Sequence, residues 1–145
     1  MMGVTYISKV FVGQFNGAKQ YHMSSAVTWQ MIFLSLASVC IFLLAYLIAP
    51  YLLPSIALKH GLIYFRTLML CGILWPISSS LCGFFIGTYQ NKTVFLTLII
   101  SNTINIVFDL LWIPHYGTHG AALATNISMV AQVLILFYFY LEKSN

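Results

Sequence analysis

Long apolar stretches separated by short polar segments run along the whole chain. Four of these stretches have about 20 residues or more, the length that an α-helix needs to cross the hydrocarbon core of a bilayer. A shorter apolar stretch precedes them. The pattern therefore predicts an all-α membrane protein with about four full transmembrane helices and a partial N-terminal helix, at about residues 1–12, 26–50, 62–87, 93–113 and 121–141.

Polar segments and prolines set the predicted ends of these helices. Polar turns are expected over residues 13–25 and 88–92. Pro50 and Pro54 are expected to end the first long span, because proline cannot continue the hydrogen-bonding pattern of a helix. Residues 114–120 begin with a proline and contain two glycines, so they are expected to form a loop.

A proline is also expected to bend the second span. Pro76 lies near the middle of residues 62–87 and is followed by three serines. Proline frees a backbone carbonyl, and serine hydroxyls help to satisfy the irregular backbone. Arg66 lies about one turn inside the start of this span, from where its side chain can reach the headgroups. No short internal repeat is apparent, and residues 1–145 are interpreted as a single transmembrane domain.

Composition supports a lipid environment. The 145 residues are 61% hydrophobic and 6% charged, with a mean hydropathy of +0.93, whereas roughly a quarter of the residues of a soluble domain are charged. The six Lys and Arg residues are scattered singly, which excludes the clustered cations of a nucleic-acid interface. Cys40, Cys71 and Cys82 lie in apolar stretches without metal-ligand spacing, and they are interpreted as small packing residues.

The distribution of cations predicts an orientation. Two of them, Lys59 and Arg66, fall on one side of the four-span arrangement. Four fall on the other side: Lys9, Lys19, Lys92 and Lys143. Cytoplasmic loops carry the excess of Lys and Arg. The chain is therefore predicted to be a multi-pass protein of the plasma (inner) membrane with a cytoplasmic C-terminus.

One acid, Asp109, lies inside a predicted span. An ionisable residue within the membrane usually faces a cavity or a partner, because exposing it to lipid is costly. Asn102 lies three residues before Asn105, and Asn105 lies four residues before Asp109, so all three share one face of the helix. The last span repeats this spacing with three more polar residues: Thr125, Ser128 and Gln132.

Two polar stripes on adjacent helices can meet around a small wet pocket. Carboxylate, amide and hydroxyl oxygens suit a proton or a hard monovalent cation, whereas a Ca²⁺ cage would need more carboxylates. Two alternatives remain open: the amides and hydroxyls only hydrogen-bond between helices, or Asp109 is solvated near the interface. His115 and His119 are four residues apart, as metal ligands on a helix can be, but in a predicted loop they are interpreted as solvated.

Motifs in the second half of the chain resemble those of a known family. A glycine-containing turn precedes a helix that ends in N-x-x-x-D, formed by Asn105 and Asp109. A short loop and the sequence G-A-A-L-A-T at 120–125 follow, and an earlier G-Q-F-N-G-A turn lies at 13–18. Their order and spacing resemble the multidrug and toxic compound extrusion (MATE) family of cation-coupled exporters, over nearly the whole chain.

The resemblance implies twelve helices in two six-helix lobes, of which this chain would supply the end of helix two and helices three to six of one lobe. It also implies a cation site formed by Asn105, Asp109, the backbone of Ala121 and Thr125. The remaining polar residues of the two stripes would line the cavity beside it: Asn102, Ser128 and Gln132. The family's other key acid, on helix one, and a second lobe are not in this chain, which is therefore interpreted as a truncated or fragmentary form.

The leading hypothesis is a cation-coupled antiporter, driven by Na⁺ or H⁺, that exports drugs or other xenobiotics. Such a protein is not an enzyme and needs no cofactor beyond the coupling ion, with Na⁺ as the one metal expected at the cation site. Its partners would be the lipid bilayer, a small organic and often cationic substrate, and the remaining helices or second lobe. The alternatives are a flippase-like protein for lipid-linked oligosaccharides from the same superfamily, and a nontransporting membrane subunit or remnant.

Overall fold

A computed structural model describes residues 2–52 and 58–144, and within these ranges the chain forms helices and no strands. The all-α prediction is thereby confirmed. The helices are α1 (Met2–Gly17), α2 (Tyr21–Ala37), α3 (Val39–Leu52), α4 (Leu58–Leu70), α5 (Leu74–Gly87), α6 (Asn91–Tyr116) and α7 (Thr118–Ser144).

Three helical segments of the described chain are long and apolar enough to cross a membrane: Tyr21–Ala49, Asn91–Tyr116 and Thr118–Lys143. The first of them consists of α2 and most of α3, which are separated by a single turn residue, Ser38. Ser38 donates a hydrogen bond from its hydroxyl to the carbonyl of Ser35 at 2.6 Å. Helices α4 and α5 together make a fourth span if the bend between them is counted as part of one crossing.

The bend between α4 and α5 is 48° and lies at residues 71–73. A kink was predicted at Pro76, but this proline occupies the third position of α5, where the missing N–H breaks no helical hydrogen bond. The proline ring instead clashes with the carbonyl four residues earlier, that of Gly72, so this carbonyl cannot take its regular place in a continuous helix. The hydroxyl of Ser80 donates to the Pro76 carbonyl at 2.9 Å, one turn back in its own helix, while the carbonyl of Gly72 accepts from the Trp75 N–H at 3.3 Å.

Several helices are longer than the sequence pattern predicts. Helix α1 continues through the first part of the predicted polar turn to Gly17, and α3 continues two residues past Pro50. Pro54, the second predicted terminator, lies outside the described residues. Helix α4 begins at Leu58, so that Arg66 lies about two turns inside the helix rather than one.

The predicted loop over residues 114–120 is reduced to a turn at one residue, Gly117. Pro114 lies inside α6, and His119 belongs to α7. Gly117 has φ +56° and ψ −134°, a backbone conformation that glycine adopts without a steric penalty. His115 and His119 therefore lie on different helices and not four apart on one. The described residues hold no group of three or more His, Cys, Asp or Glu side chains that could bind a metal.

Two turns of the bundle share a sequence pattern, F-x-G-x-x-Q, that the sequence analysis missed. The pattern occurs at 15–20 between α1 and α2 and at 85–90 between α5 and α6. In each turn the glutamine N–H donates to the phenylalanine carbonyl, at 2.8 Å in the first and 2.7 Å in the second. The residue before the glutamine has a positive φ in both turns, 59° at Lys19 and 61° at Tyr89. Each helix thus ends with the same αL closure.

The interior of the bundle is made where α1, α2, α5 and α7 meet. Its fully buried side chains include Val12, Leu81, Phe85, Leu136 and Tyr140. At Gly87 an added Cβ would lie 2.7 Å from the Val12 side chain, so this glycine allows α1 and α5 to pack closely. Many large apolar side chains on the other faces are exposed in the chain alone, as expected for helices surrounded by lipid.

Candidate functional site

The packed face of α6 includes Val94, Thr97 and Ser101, which are all buried. Asn105 and Asp109 continue this face toward the C-terminal end of the helix and are half-buried. Asn102 is exposed, and its side-chain amide donates to the carbonyl of Leu98 in its own helix at 2.8 Å. The stripe predicted from spacing thus lies at the edge of the packed face, with Asn102 outside that face.

Asn105 and Asp109 each have a buried polar atom without a hydrogen-bond partner among the described residues. These atoms are the amide nitrogen Nδ2 of Asn105 and the carboxylate oxygen Oδ1 of Asp109. A buried polar group left unpaired costs about 1–3 kcal/mol, and more if it is charged. Native proteins rarely keep such a pair of atoms without a ligand, an ion or water nearby, so this part of α6 has the features of a binding site.

Helix α7 contributes two hydroxyls whose hydrogen bonds stay within the helix. Thr125 donates to the carbonyl of Ala121 at 2.9 Å, and Ser128 donates to the carbonyl of Thr125 at 2.8 Å. Thr125 and Ala121 thus lie together, and the Thr125 hydroxyl oxygen keeps its acceptor capacity. Ser128, predicted to line a cavity, is 8% exposed and is therefore a packed residue in this structure.

Helices α6 and α7 approach each other closely beside these residues. A Cβ added to Gly120 would lie 2.7 Å from the carbonyl oxygen of Trp112, and Ala122 and Ala124 are fully buried. Trp112 is three residues from Asp109, and Gly120 immediately precedes Ala121. The small residues that open α7 therefore bring its first turns against the C-terminal turns of α6, which carry the acid.

Gln132, also predicted to line a cavity, forms hydrogen bonds that join three helices. Its amide nitrogen donates to the hydroxyl of Ser78 in α5 at 2.8 Å, and its amide oxygen accepts from the hydroxyl of Ser101 in α6 at 3.2 Å. Ser78 is 5% and Ser101 4% exposed. The sequence analysis did not single out Ser101, although it lies one turn before Asn105. We call these three residues the Gln132 cluster.

Asp109 is the one acid among the described residues of α6. The sequence contains one other acid, Glu142, which is exposed in the last turn of α7. One carboxylate with amide, hydroxyl and carbonyl oxygens nearby matches a proton or a monovalent cation better than a divalent ion, which needs more negative ligands.

Comparisons with known proteins bear on the fold. No protein-family model matches the chain. It is 28% identical over 154 aligned residues to the probable multidrug resistance protein YoeA of Bacillus subtilis, covering 98% of this chain and 33% of that protein. It is 32% identical over 94 residues to Protein DETOXIFICATION 43 of Arabidopsis thaliana, covering 63% of this chain and 18% of that protein.

A solved structure has the same fold. It is an inward-facing multidrug resistance MATE family transporter of the MOP superfamily, with a TM-score of 0.87 over 95% of this chain and 23% sequence identity. The two relatives and the shared fold together bear out the predicted resemblance to this family. The chain spans about a third of the length of the solved transporter and of the Bacillus relative.

Proposed function

We propose that this chain forms most of one lobe of a cation-coupled exporter of drugs or other xenobiotics, with its ion site at Asn105 and Asp109. The observation that carries the proposal is the buried carboxylate oxygen Oδ1 of Asp109, which has no hydrogen-bond partner among the described residues; Asn105 would contribute its amide oxygen. The backbone carbonyl of Ala121 and the hydroxyl oxygen of Thr125 complete the site from α7. The names of the relatives, which include a probable multidrug resistance protein, support a drug substrate over a lipid-linked oligosaccharide.

In the proposed mechanism the coupling ion, Na⁺ or H⁺, neutralises Asp109. Binding relieves the cost of an unpaired carboxylate at the α6–α7 contact, and the helices repack around the filled site. The repacking favours one orientation of the lobe relative to its partner, and release of the ion favours the other. The membrane potential contributes about 2.3 kcal/mol per elementary charge per 100 mV. No covalent bond changes, so the protein acts as a transporter and not as an enzyme.

The proposal includes a partner and an orientation. Alternating access requires two bundles that move against each other, so the chain would function with the remaining helices of its lobe and a second lobe. Lys92 is exposed in the first turn of α6 and Lys143 in the last turn of α7. Both would face the cytoplasm of a plasma (inner) membrane protein under the positive-inside rule, which gives a cytoplasmic C-terminus.

A transport assay with the chain's two acids tests the proposal. The chain is expressed alone, and also joined to the remaining two thirds of the Bacillus relative, in bacteria depleted of their own drug exporters. Ethidium efflux is followed after an imposed Na⁺ or H⁺ gradient. We expect the joined protein to export ethidium, Asp109→Asn to reduce efflux to the vector background, and Glu142→Gln to leave it unchanged. Gradient-driven efflux that survives Asp109→Asn would show that the acid has no coupling role.

A further inference from the structure

Arg66 is a cation placed well inside a helix. It lies eight residues after the start of α4 at Leu58, which is about 12 Å at the rise of an α-helix. The side chain is half-buried, and its Nε is buried without a hydrogen-bond partner among the described residues. Neither acid of the sequence, Asp109 or Glu142, forms a recorded salt bridge with it in the described part of the chain. An arginine at this depth needs an anion or water to be stable in the membrane.

An aromatic ring on the neighbouring helix fixes the position of this guanidinium group. The Cζ atom of Arg66 lies 4.9 Å from the centre of the Tyr46 ring in α3, within the range of a cation–π interaction. The ring attracts the cation without using its N–H donors. The planar edge of the guanidinium remains suited to an anion with two oxygens, such as a phosphate.

An apolar groove between α3 and α4 continues from this position. Tyr46 also lines the groove, together with Phe42 and Val39 of α3 and with Met69 and Ile73 beyond Arg66. Its volume is about 240 Å³, below the roughly 300–1,000 Å³ of clefts that bury drug-sized molecules. From Tyr46 to Val39 it follows α3 for about 10 Å. A narrow apolar groove of this shape fits a single hydrocarbon chain.

We propose that the groove between α3 and α4 binds an anionic phospholipid, with its phosphate on the guanidinium of Arg66 and one acyl chain along Tyr46, Phe42 and Met69. The phospholipid supplies the anion that no described side chain supplies, and the bilayer holds it next to the groove at high local concentration. The phosphate is drawn toward Arg66 while the long arginine side chain extends toward the interface. The inference does not depend on the proposed transport function.

Native mass spectrometry of the full 145-residue chain tests the phosphate contact. The chain is released from micelles containing phosphatidylglycerol or phosphatidylcholine with identical acyl chains, and retained lipid is counted. Both lipids carry a phosphate, but the choline ammonium of phosphatidylcholine offsets its charge, so we expect about tenfold stronger retention of the anionic phosphatidylglycerol and loss of this preference in Arg66→Gln. Lys92→Gln, which removes an exposed cation on α6, should keep the preference. Equal retention of the two lipids, or a preference that persists in Arg66→Gln, would overturn the proposal.

Two substitutions on the rim test whether an acyl chain occupies the groove. Leu43 lines the groove and is 57% exposed, whereas Leu44 is 56% exposed and does not line it. Both positions should accept tryptophan without loss of the fold, which circular dichroism checks. We expect Leu43→Trp to weaken phosphatidylglycerol retention severalfold and Leu44→Trp to leave it unchanged. If the two variants behave alike, or if soluble glycerol phosphate displaces the lipid at equal concentration, the site is an anion site without an acyl chain and the proposal fails.

Discussion

Two polar regions lie about one turn apart along α6, and they differ in whether their buried polar atoms have hydrogen-bond partners. In the Gln132 cluster the amide of Gln132 bridges the hydroxyls of Ser78 and Ser101. One turn further along α6, Asn105 and Asp109 keep buried polar atoms that have no hydrogen-bond partner among the described residues. Both regions contain a side-chain amide, but the second also contains a carboxylate, and its buried polar atoms have no partner among the described residues.

This difference distinguishes polar residues that pack the helices together from polar residues that are available to bind a ligand. Amides and hydroxyls that satisfy one another between membrane helices hold the helices in register. An unpaired carboxylate in the same bundle lowers stability, and it persists where a ligand supplies the missing contact. The two regions should therefore respond in opposite directions when their polar side chains are replaced by apolar ones.

The largest effect is expected at Asp109. Replacing it with leucine removes the buried, unpartnered oxygen of Asp109, and a buried polar group left unpaired costs about 1–3 kcal/mol. We expect Asp109→Leu to raise the free energy of unfolding by up to about 3 kcal/mol, measured by equilibrium unfolding in mixed micelles. Glu142→Leu should have little effect, because Glu142 is exposed. A loss of stability in Asp109→Leu would mean that the carboxylate is satisfied within the protein.

An opposite and smaller effect is expected at the cluster. Gln132→Leu keeps most of the side-chain volume and removes both interhelical hydrogen bonds, so it should lower the free energy of unfolding by about 1–2 kcal/mol. Gln30 is exposed on α2, and Gln30→Leu is the matched control, with an expected change near zero in the same unfolding assay. If both variants lose the same stability, the cluster does not hold α5, α6 and α7 together.

The smallest change in stability is expected at Thr125. Its hydroxyl bonds within its own helix at 2.9 Å, as the exposed Thr103 does to Ile99 at 2.9 Å. Thr125→Val and Thr103→Val should each change the free energy of unfolding by less than about 0.5 kcal/mol. Na⁺ titration should separate them, with about two- to tenfold weaker binding only in Thr125→Val, the loss expected for one oxygen contact. Equal Na⁺ affinity in the two variants would remove Thr125 from the proposed site.

Spacing alone predicted which polar residues share a helix face, but not what each one contacts. The spacings of three and four residues correctly grouped Asn105 with Asp109 at the edge of the packed face of α6. The same spacings could not separate Gln132, whose long amide reaches two other helices, from Thr125 and Ser128, whose short hydroxyls bond to carbonyls of their own helix. Whether a side chain contacts another helix depends on its length and on how the helix is rotated about its axis, and a periodic sequence pattern specifies neither.

The prolines show the same limit for the fold. The pattern predicted helices in the right parts of the chain, because about 20 apolar residues leave few other solutions in a membrane. Pro50 and Pro114 nevertheless lie inside α3 and α6, and the bend before Pro76 lies at residues 71–73, which include the carbonyl four residues before this proline. Proline acts on the carbonyl four residues before it, so its effect depends on where the helix starts, which the sequence pattern does not give.

The one-residue turn at Gly117 has a consequence for how the protein is inserted. Helices α6 and α7 are joined so tightly that they must enter the bilayer as an antiparallel helical hairpin, and neither can change its direction without the other. Lys92 and Lys143 stand at the two open ends of this hairpin, so we expect both to lie on the same side of the membrane. Both lysines therefore favour the same orientation of the hairpin in the membrane, and reversing this orientation would require moving both charges across the bilayer together.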